Sequence, residues 1–298
     1  MINLELCLLP NYANKKGIQS IGNYSKNQLK KYCPKLSVYI EQLNINPQLP
    51  LKFPIDLLNH LDFIPQLSHS LLSKIQVIFE DDNFFVVNIP SKLHSSSLYY
   101  SQEDTIFNYL RITQKQDVLG VNKFSRNRGL LNRLDYLTSG ILIFCKKEDL
   151  YFLLRENYAK AVTKKIYFCI LKGNLCTENT LENYLEGFGP NQHKVRVCEN
   201  STGIYAKLNY SIIEYNSHKD VTLVKVFLHT GVRHQIRVQF SHIGHPLLGD
   251  PLYGKDSSLG EFFLHAQEYN VDYSHLIRSG KSYCFSTPLP DWVKNFTL

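Results

Sequence analysis

Two apolar runs separated by an acidic turn predict a β-hairpin near residue 80. Residues 76–80 and 84–88 are rich in Val, Ile and Phe, and the turn Asp-Asp-Asn at 81–83 lies between them. Runs of β-branched and aromatic residues joined by such a turn are typical of paired strands, and Pro90 ends the second run. The same reasoning predicts further strands at 141–145, 165–173, 206–215 and 221–229.

Apolar residues at helical spacing predict three helices in the same part of the chain. In 147–160 the leucines and Tyr158 fall on one face, as in an amphipathic helix packed on a sheet. Shorter helices are predicted at 105–113 and at 233–242, and Gly244 closes the latter.

Two intervening segments lack a clear period and are predicted to be mostly loop. They are 117–130 and 174–203, the second with a short basic strand that contains Lys194 and Arg196. Pro288, Pro290 and Trp292 mark the C-terminal tail, which we expect to close the domain.

The first 72 residues differ in composition from the rest of the chain. Lysines recur there without arginine, a modest helix is predicted at 25–43, and three prolines between 47 and 54 argue against a continuous element. We therefore expect residues 1–72 to form an N-terminal extension and residues 73–298 to form the main domain.

Composition narrows the class of protein only moderately. The 298 residues are 44% hydrophobic, and the formal net charge of +7 is compatible with a polyanionic partner without requiring one. The seven cysteines are scattered and never form Cys-x-x-Cys, which indicates reduced thiols in the cytoplasm. Because Glu5 interrupts the apolar start and no apolar run reaches membrane-spanning length, neither a secretory signal nor a membrane span is expected.

A glycine-terminated loop before the strand at 141–145 carries the first candidate chemistry. It reads Asn-Arg-Leu-Asp-Tyr-Leu-Thr-Ser-Gly at 132–140, so that Arg133 and Asp135 lie two residues apart. Loops held by a rigid strand often carry functional residues. Taken alone, however, an Arg-x-Asp is more often a surface ion pair.

The second dense stretch, 229–254, supplies a partner for Asp135. On the helix predicted at 233–242, Arg233 and Arg237 lie four apart and would share one face, suited to holding a phosphate or carboxylate. A nearby arginine such as Arg237 would keep the Asp135 carboxylate ionised, and Tyr167 offers a phenol for stacking or proton transfer. This set indicates a nucleophilic or acid–base site without a metal.

Other catalytic classes receive less support from the sequence. Four histidines near Asp250 suggest a metal site, but their spacing fits no strong zinc pattern, and helix caps or hydrogen bonds are the simpler roles. Neither a phosphate-binding loop of the Gly-x-x-x-x-Gly-Lys-Ser/Thr type nor a Gly-x-Ser-x-Gly hydrolase elbow is present. The histidines are His229, His234, His242 and His245.

In these stretches the chain resembles the RluA-type RNA pseudouridine synthases. The family's first motif is approximately His-Arg-Leu-Asp-x-x-Thr-Ser-Gly, which 132–140 matches except at Asn132. Two further motifs, Thr-Gly-x-x-His-Gln-Ile-Arg-Val and His-Ile-Gly-His-Pro-Leu-Leu-Gly-Asp-Pro-Leu-Tyr-Gly, match at 230–238 and 242–254. Lys165-x-Tyr167 with Gly173 and Leu264-His265-Ala266 complete the set, and the likeness runs from about residue 76 to the C-terminus. Ordered motifs at suitable spacing argue strongly against a chance match.

The resemblance implies both a fold and an activity. The fold would be α+β, with a mixed, mainly antiparallel sheet flanked by helices and loops and an RNA cleft across the sheet. The activity would be isomerisation of specific uridines to pseudouridine in structured rRNA or tRNA, after the target base is flipped out of its stack. No metal or organic cofactor is implied, RNA is the partner, and we expect a monomer.

The resemblance also implies roles for individual residues. Asp135 would be the catalytic aspartate that acts at the ribosyl C1′, Tyr167 would stack on the base and handle a proton, and Arg237 would pair with Asp135. Arg133 would enter the RNA in place of the uridine, and Leu264 would pack against the base. Three more residues are expected to bind substrate, namely Thr138, Arg233 and His234.

Four departures from the family pattern bear on the substrate. Ile89 and Lys92 stand where the family usually has the Lys and Gly of Asn-Lys-Pro-x-Gly, and Ile204 and Leu208 replace a Lys and a Thr. The N-terminal 72 residues also lack the pattern of the S4 RNA-binding domain.

Two alternatives to the synthase remain open at this point. One is a catalytically silent RNA-binding protein of the same fold, which the lost family lysines would favour. The other is a metal-dependent hydrolase that uses the histidines.

Overall fold

In the described part of the chain, the predicted strands come together in a single sheet of ten strands. A computed structural model describes residues 67–96, 104–122, 127–189, 194–199, 202–254 and 260–296. The helix predicted at 25–43 and nearly all of the N-terminal extension lie outside the described residues. The strands are β1 (Gln76–Glu80), β2 (Phe84–Ile89), β3 (Ser139–Cys145), β4 (Val162–Lys172), β5 (Asn179–Phe188), β6 (Lys194–Cys198), β7 (Ile204–Asn216), β8 (Val221–Leu228), β9 (Leu264–Asp272) and β10 (Ser282–Ser286).

The sheet is mixed and mainly antiparallel, as expected. Its order is β1-β2-β3-β9-β4-β8-β7-β5-β6, and β10 pairs with β9. The strand neighbours pair antiparallel except for β3 and β9, which run parallel over a short stretch. Together with the helices on its faces, this sheet confirms the predicted α+β class.

The parallel contact between β3 and β9 depends on a glycine. Gly140 has a φ of +119° and stands opposite Ala266, whose carbonyl oxygen would collide with any Cβ at position 140. Only glycine permits this approach, so the Gly that ends the loop 132–140 fixes that loop against β9.

Seven helices in the described part of the chain flank the sheet. Alternate residues of β4 pack on opposite faces: Tyr167 joins the larger core on one face, and Phe168 joins a smaller core on the other. The helices are α1 (His69–Leu72), α2 (Ile106–Ile112), α3 (Gln116–Leu119), α4 (Glu148–Glu156), α5 (Tyr158–Ala161), α6 (Gln235–His242) and α7 (Asp291–Lys294). The α6 helix packs on the Tyr167 face through Ile236 and Phe240, and α7 covers the other face through Trp292.

Three segment predictions were wrong. The segment 117–130, predicted to be a loop, begins within α3. The helix predicted at 147–160 is interrupted at Asn157, whose side-chain amide donates to the Leu153 carbonyl and helps to end α4. The segment 174–203 contains the ten-residue strand β5 as well as the predicted short basic strand, which is β6.

Candidate active site

The loop 132–140 presents Asp135 at the sheet surface. The Thr138 amide donates to the Asp135 carbonyl at 2.9 Å, which closes a tight turn, and Thr138 is buried. The Ser95 hydroxyl donates to the Leu134 carbonyl and accepts from the Leu134 amide, each at 2.9 Å. Because the backbone is fixed on both sides of Asp135, its carboxylate has a defined position while remaining 25% exposed.

Arg237 joins Asp135 to a second, fully buried carboxylate. Its Nε and Nη2 donate to the two oxygens of Asp250 at 2.7 and 2.8 Å, and its Nη1 donates to Asp135 Oδ2 at 3.2 Å. Burial alone would lower the pKa of Arg237, but Asp250 and then Asp135 raise it on balance. The guanidinium thus stays charged and is held as a planar fork by Asp250, with one edge left for Asp135.

Aromatic rings and a histidine enclose the guanidinium. The Arg237 Cζ lies 5.2 Å from the centroid of Tyr253 and 5.3 Å from that of Phe262. His234, with a left-handed φ of 57°, precedes α6 and bonds the Tyr253 hydroxyl through Nδ1 at 2.8 Å. Its Nε2 lies 3.8 Å from Asp135 Oδ2, and burial lowers its pKa despite the nearby Asp135. Near neutral pH, His234 is therefore a neutral neighbour of Asp135.

Tyr167 lies on β4, beside β9. Its side chain is buried, and its hydroxyl hydrogen-bonds the hydroxyl of Tyr269 on β9. Burial raises the pKa of Tyr167 well above its ordinary value, so this phenol is protonated at neutral pH. Leu264, at the start of β9, is buried and opposes Cys169 on β4.

One cleft of about 440 Å³ brings together seven of the eight predicted site residues. They are Arg133, Asp135, Thr138, Tyr167, His234, Arg237 and Leu264. These residues come from the loop 132–140, β4, α6 and β9, so the cleft forms where separate parts of the chain meet across the sheet. Among them Arg133 is exposed.

Arg233 is the predicted site residue that does not line this cleft. The prediction that it shares a helix face with Arg237 was wrong. The α6 helix begins at Gln235, after the left-handed His234, so Arg233 lies outside the helix and is exposed while Arg237 is buried. Arg233 instead lines a second lobe of about 590 Å³ that adjoins the cleft, and its Nη2 lies 3.4 Å from the Lys194 carbonyl. The two arginines thus do not form a shared clamp.

Lys165 belongs to the Lys-x-Tyr motif and was not predicted as a site residue. Its side chain lies between the cleft and the second lobe and lines both. Its buried Nζ donates to the Thr230 carbonyl at 2.8 Å and to the His229 carbonyl at 3.4 Å. Burial lowers the pKa of Lys165 to about 8. The two-residue spacing places Lys165 and Tyr167 on one face of β4, and this spacing could have marked Lys165 as a cleft residue.

Three of the four histidines near Asp250 make hydrogen bonds, among them His234. His229 bonds Asn209 through Nε2, and His245 Nδ1 lies 2.9 Å from the Lys172 carbonyl. Within the described ranges, no three His, Cys, Asp or Glu side chains are grouped as metal ligands. Also within those ranges, no helix is long and apolar enough to cross a membrane.

Two solved structures that superpose on this sheet are human proteins with a pseudouridylate synthase domain in their names. The human RNA Pseudouridylate Synthase Domain Containing 1 superposes with a TM-score of 0.53 at 19% identity, covering 76% of this chain and 96% of that one. The human Domain Containing 4 protein gives a TM-score of 0.54, also at 19% identity, over 75% and 91%. At this identity the comparison establishes the fold.

Sequence comparison identifies the family. The family model described as RNA pseudouridylate synthase matches residues 83–242, more than half of the chain. Ribosomal large subunit pseudouridine synthase D of Buchnera aphidicola is 31% identical over 239 residues, which cover 75% of this chain and 72% of that protein. The protein of the same name from Zymomonas mobilis is 26% identical over 223 residues, or 72% and 69%. The chain belongs to the RNA pseudouridylate synthase family, which confirms the resemblance, and it is an isomerase that acts on RNA.

Proposed function

We propose that this protein converts uridine to pseudouridine in structured RNA with Asp135 as its catalytic carboxylate. The single observation that carries the proposal is the ion pair of Asp135 with Arg237, which Asp250 holds from behind within the same cleft as Tyr167. Because Arg237 is fixed by a buried carboxylate, it holds the Asp135 carboxylate in position without free movement of its own side chain.

The reaction needs no outside reactant. The bond between C1′ and N1 of the uridine breaks, the base rotates, and a new bond forms between C1′ and C5. The proton on C5 is lost and N1 gains one, so that atoms and charge balance. Asp135 acts at C1′, either as nucleophile or as electrostatic support, and Tyr167, a protonated phenol in the same cleft, stacks on the base and handles a proton.

The other cleft residues bind the substrate. Leu264 supplies an apolar wall against the base, Thr138 holds the turn that presents Asp135, and His234 borders the carboxylate. Arg133 is exposed at the cleft, where its side chain can occupy the space that a flipped uridine vacates. Arg233 contacts RNA outside the cleft.

Large-subunit ribosomal RNA is the substrate that we favour, because the relatives described above carry that substrate in their names. A transfer RNA is the alternative. The formal net charge of +7 suits either polyanion. We further infer that the protein is a cytoplasmic monomer that consists of an extension over residues 1–72 and a catalytic domain over 73–298.

Pseudouridine mapping across all RNAs, in cells with and without the gene, tests the activity and finds the substrate together. We expect one or a few sites to disappear and to return with the wild-type gene but not with Asp135→Asn. If no site changes although the purified protein binds RNA, the catalytically silent RNA-binding protein becomes the better account.

A further inference from the structure

A second buried phenol contacts Tyr167 and was not singled out by any sequence motif. Tyr269 lies on β9 beside β4, is 2% exposed, and bonds the Tyr167 hydroxyl through its own. The two rings meet edge to face, with centroids 6.1 Å apart and an interplanar angle of 65°. The position of the Tyr167 hydroxyl is therefore determined by Tyr269.

Asn132, which stands where the family usually has His, also interacts with Tyr269. Its Oδ1 accepts from the Ile143 amide at 2.9 Å, and its Nδ2 donates to the Ile141 carbonyl at 2.9 Å, so β3 fixes which way the amide faces. Burial raises the pKa of Tyr269, while hydrogen bonds from Tyr167 and Asn132 oppose this rise. Since Oδ1 is held by Ile143, the Asn132 group that reaches Tyr269 is an N–H donor.

The bond between the two phenols fixes where the Tyr167 hydroxyl lies. Either hydroxyl can donate in this bond, and both residues are buried. Burial raises the pKa of both phenols, so both keep their protons at neutral pH. The Tyr167 hydroxyl is therefore held in place beside β9, at the cleft that Asp135 also lines.

We propose that Asn132 and Tyr269 form a positioning pair that fixes the Tyr167 phenol in the cleft for its contact with the target base. This inference rests on the catalytic role proposed for Tyr167. A histidine at position 132 could donate or accept according to its tautomer, whereas the asparagine amide, fixed by β3, presents a donor alone. In this chain, the asparagine at position 132 and the phenol of Tyr269 thus act together in positioning Tyr167.

Single-turnover tritium release tests the pair. The substrate is ribosomal RNA labelled with 5-tritiated uridine in cells that lack the gene, since the reaction expels the hydrogen at C5. We expect Tyr269→Phe to slow release on the order of tenfold and Tyr167→Phe by about a hundredfold or more, with RNA affinity within about twofold of wild type because phosphate contacts dominate it. Tyr273→Phe is the matched control, because Tyr273 is also 2% exposed but bonds Asn83 away from the cleft; it should keep the wild-type rate.

The double variant separates positioning from general stability. If Tyr269 acts through Tyr167, Tyr167→Phe with Tyr269→Phe should be no slower than Tyr167→Phe alone, whereas independent, multiplying losses would overturn the proposal. A slow Tyr167→Phe with a wild-type rate in Tyr269→Phe would overturn the pair alone. A wild-type rate in Tyr167→Phe would remove the role proposed for Tyr167, and the pair with it.

NMR spectroscopy tests the contact between Tyr167 and Tyr269 without any catalytic turnover. In protein labelled at tyrosine Cζ, the NMR signal that vanishes in Tyr167→Phe belongs to Tyr167. That signal should shift in Tyr269→Phe and stay in place in Tyr273→Phe. An unshifted Tyr167 signal in Tyr269→Phe would show that the contact does not set the hydrogen bonding of Tyr167.

Discussion

The region around Asp135 and the distal strands β5–β7 differ in how their polar groups are held. Near Asp135, the charges of Arg237 and Asp250 are buried and their hydrogen bonds are satisfied by one another. At the distal strands, the Lys207–Glu182 pair is exposed, and Ile204 is 65% exposed. Buried pairs tolerate no loss of a partner, whereas exposed ones contribute little.

We expect the region around Asp135 to determine the chemistry and the distal strands to affect which RNA is bound. The buried region retains the family motifs around Asp135, while the distal region contains Ile204 and Leu208 in place of the family's Lys and Thr. Ile204 is exposed and can change without disturbing the fold, so we expect RNA recognition to differ there, whereas Leu208 is buried in the core. Variants in the two regions should therefore affect different measured quantities.

The largest effect is expected from Asp135→Asn. The amide keeps the shape of the side chain but cannot act as a carboxylate at C1′, so isomerisation should fall on the order of a thousandfold or more. RNA affinity and the free energy of unfolding should change little, because Asp135 is partly exposed and affinity depends on phosphate contacts. Single-turnover rates and filter binding measure the two quantities, and retained turnover would remove Asp135 from its role.

Asp250→Ala should have the largest effect on stability. It leaves the buried Arg237 with only the longer bond to Asp135, and breaking such a buried pair costs about 3–5 kcal/mol. Urea unfolding measures the loss. Asp291→Ala, which breaks the exposed pair with Lys294, is the control and should change little. Equal stability of the two variants would mean that Asp250 does not hold Arg237.

Lys165, at the border between the two regions, should give stability a specific pH dependence. Its pKa is about 8 when folded and 10.5 ordinarily, so between those values the unfolded chain binds more protons and stability rises with pH. From pH 8 to 10 the gain should be about 2 kcal/mol, and it should be absent in Lys165→Met. The unfolding free energy of each protein at the two pH values measures it.

Lys164→Met is the control for this effect. The hydrogen bond to Glu268 raises the pKa of Lys164, so its contribution to stability is lost only as pH rises above 10.5. Between pH 8 and 10 this variant should follow the wild type. A wild-type rise in Lys165→Met would mean that Lys165 is not the group responsible.

Strands with purely apolar buried faces were predicted correctly, whereas a distal strand with a polar inward residue was missed. Strands whose buried residues are all apolar, such as β2 and β3, were predicted within two residues. The missed strand β5 has Asn183 among its inward positions, where the Gln239 side chain of α6 satisfies it at 2.9 Å. When a polar residue interrupts the alternation of apolar and polar positions, the strand can be recognised only if the distant residue that hydrogen-bonds it is known.

The sequence predicted the pair of Asp135 with Arg237, which the structure contains, but not the other contacts that hold the candidate site. The motifs identified Asp135, Tyr167 and Arg237, yet Asp250 was noted only beside a possible metal site and Tyr269 was not noted at all. The Tyr167–Tyr269 bond joins residues 102 positions apart, and local spacing carries no information about such a pair. Helical spacing also misplaced Arg233, because the left-handed turn at His234 starts α6 two residues later.

The smallest effect is expected at the distal strands, from restoring a family lysine with Ile204→Lys. If RNA leaves the cleft along the second lobe, which Ile204 lines, a cation there gains one phosphate contact. RNA affinity should rise a few-fold at low salt, and the slope of log K against log salt should steepen by about 0.7–0.9. The isomerisation rate at saturating RNA should stay at the wild-type value, because position 204 lies outside the cleft around Asp135.

Ile213→Lys is the matched control for this prediction. Ile213 also lies on β7 and is 50% exposed, but it lines neither lobe. Salt-dependent binding to the RNA found by mapping should therefore be unchanged in this variant. An equal gain in both variants would reflect net charge alone. A gain confined to Ile204→Lys would show that RNA follows the second lobe, and that this chain evolved a weaker electrostatic contact there while keeping the buried site intact.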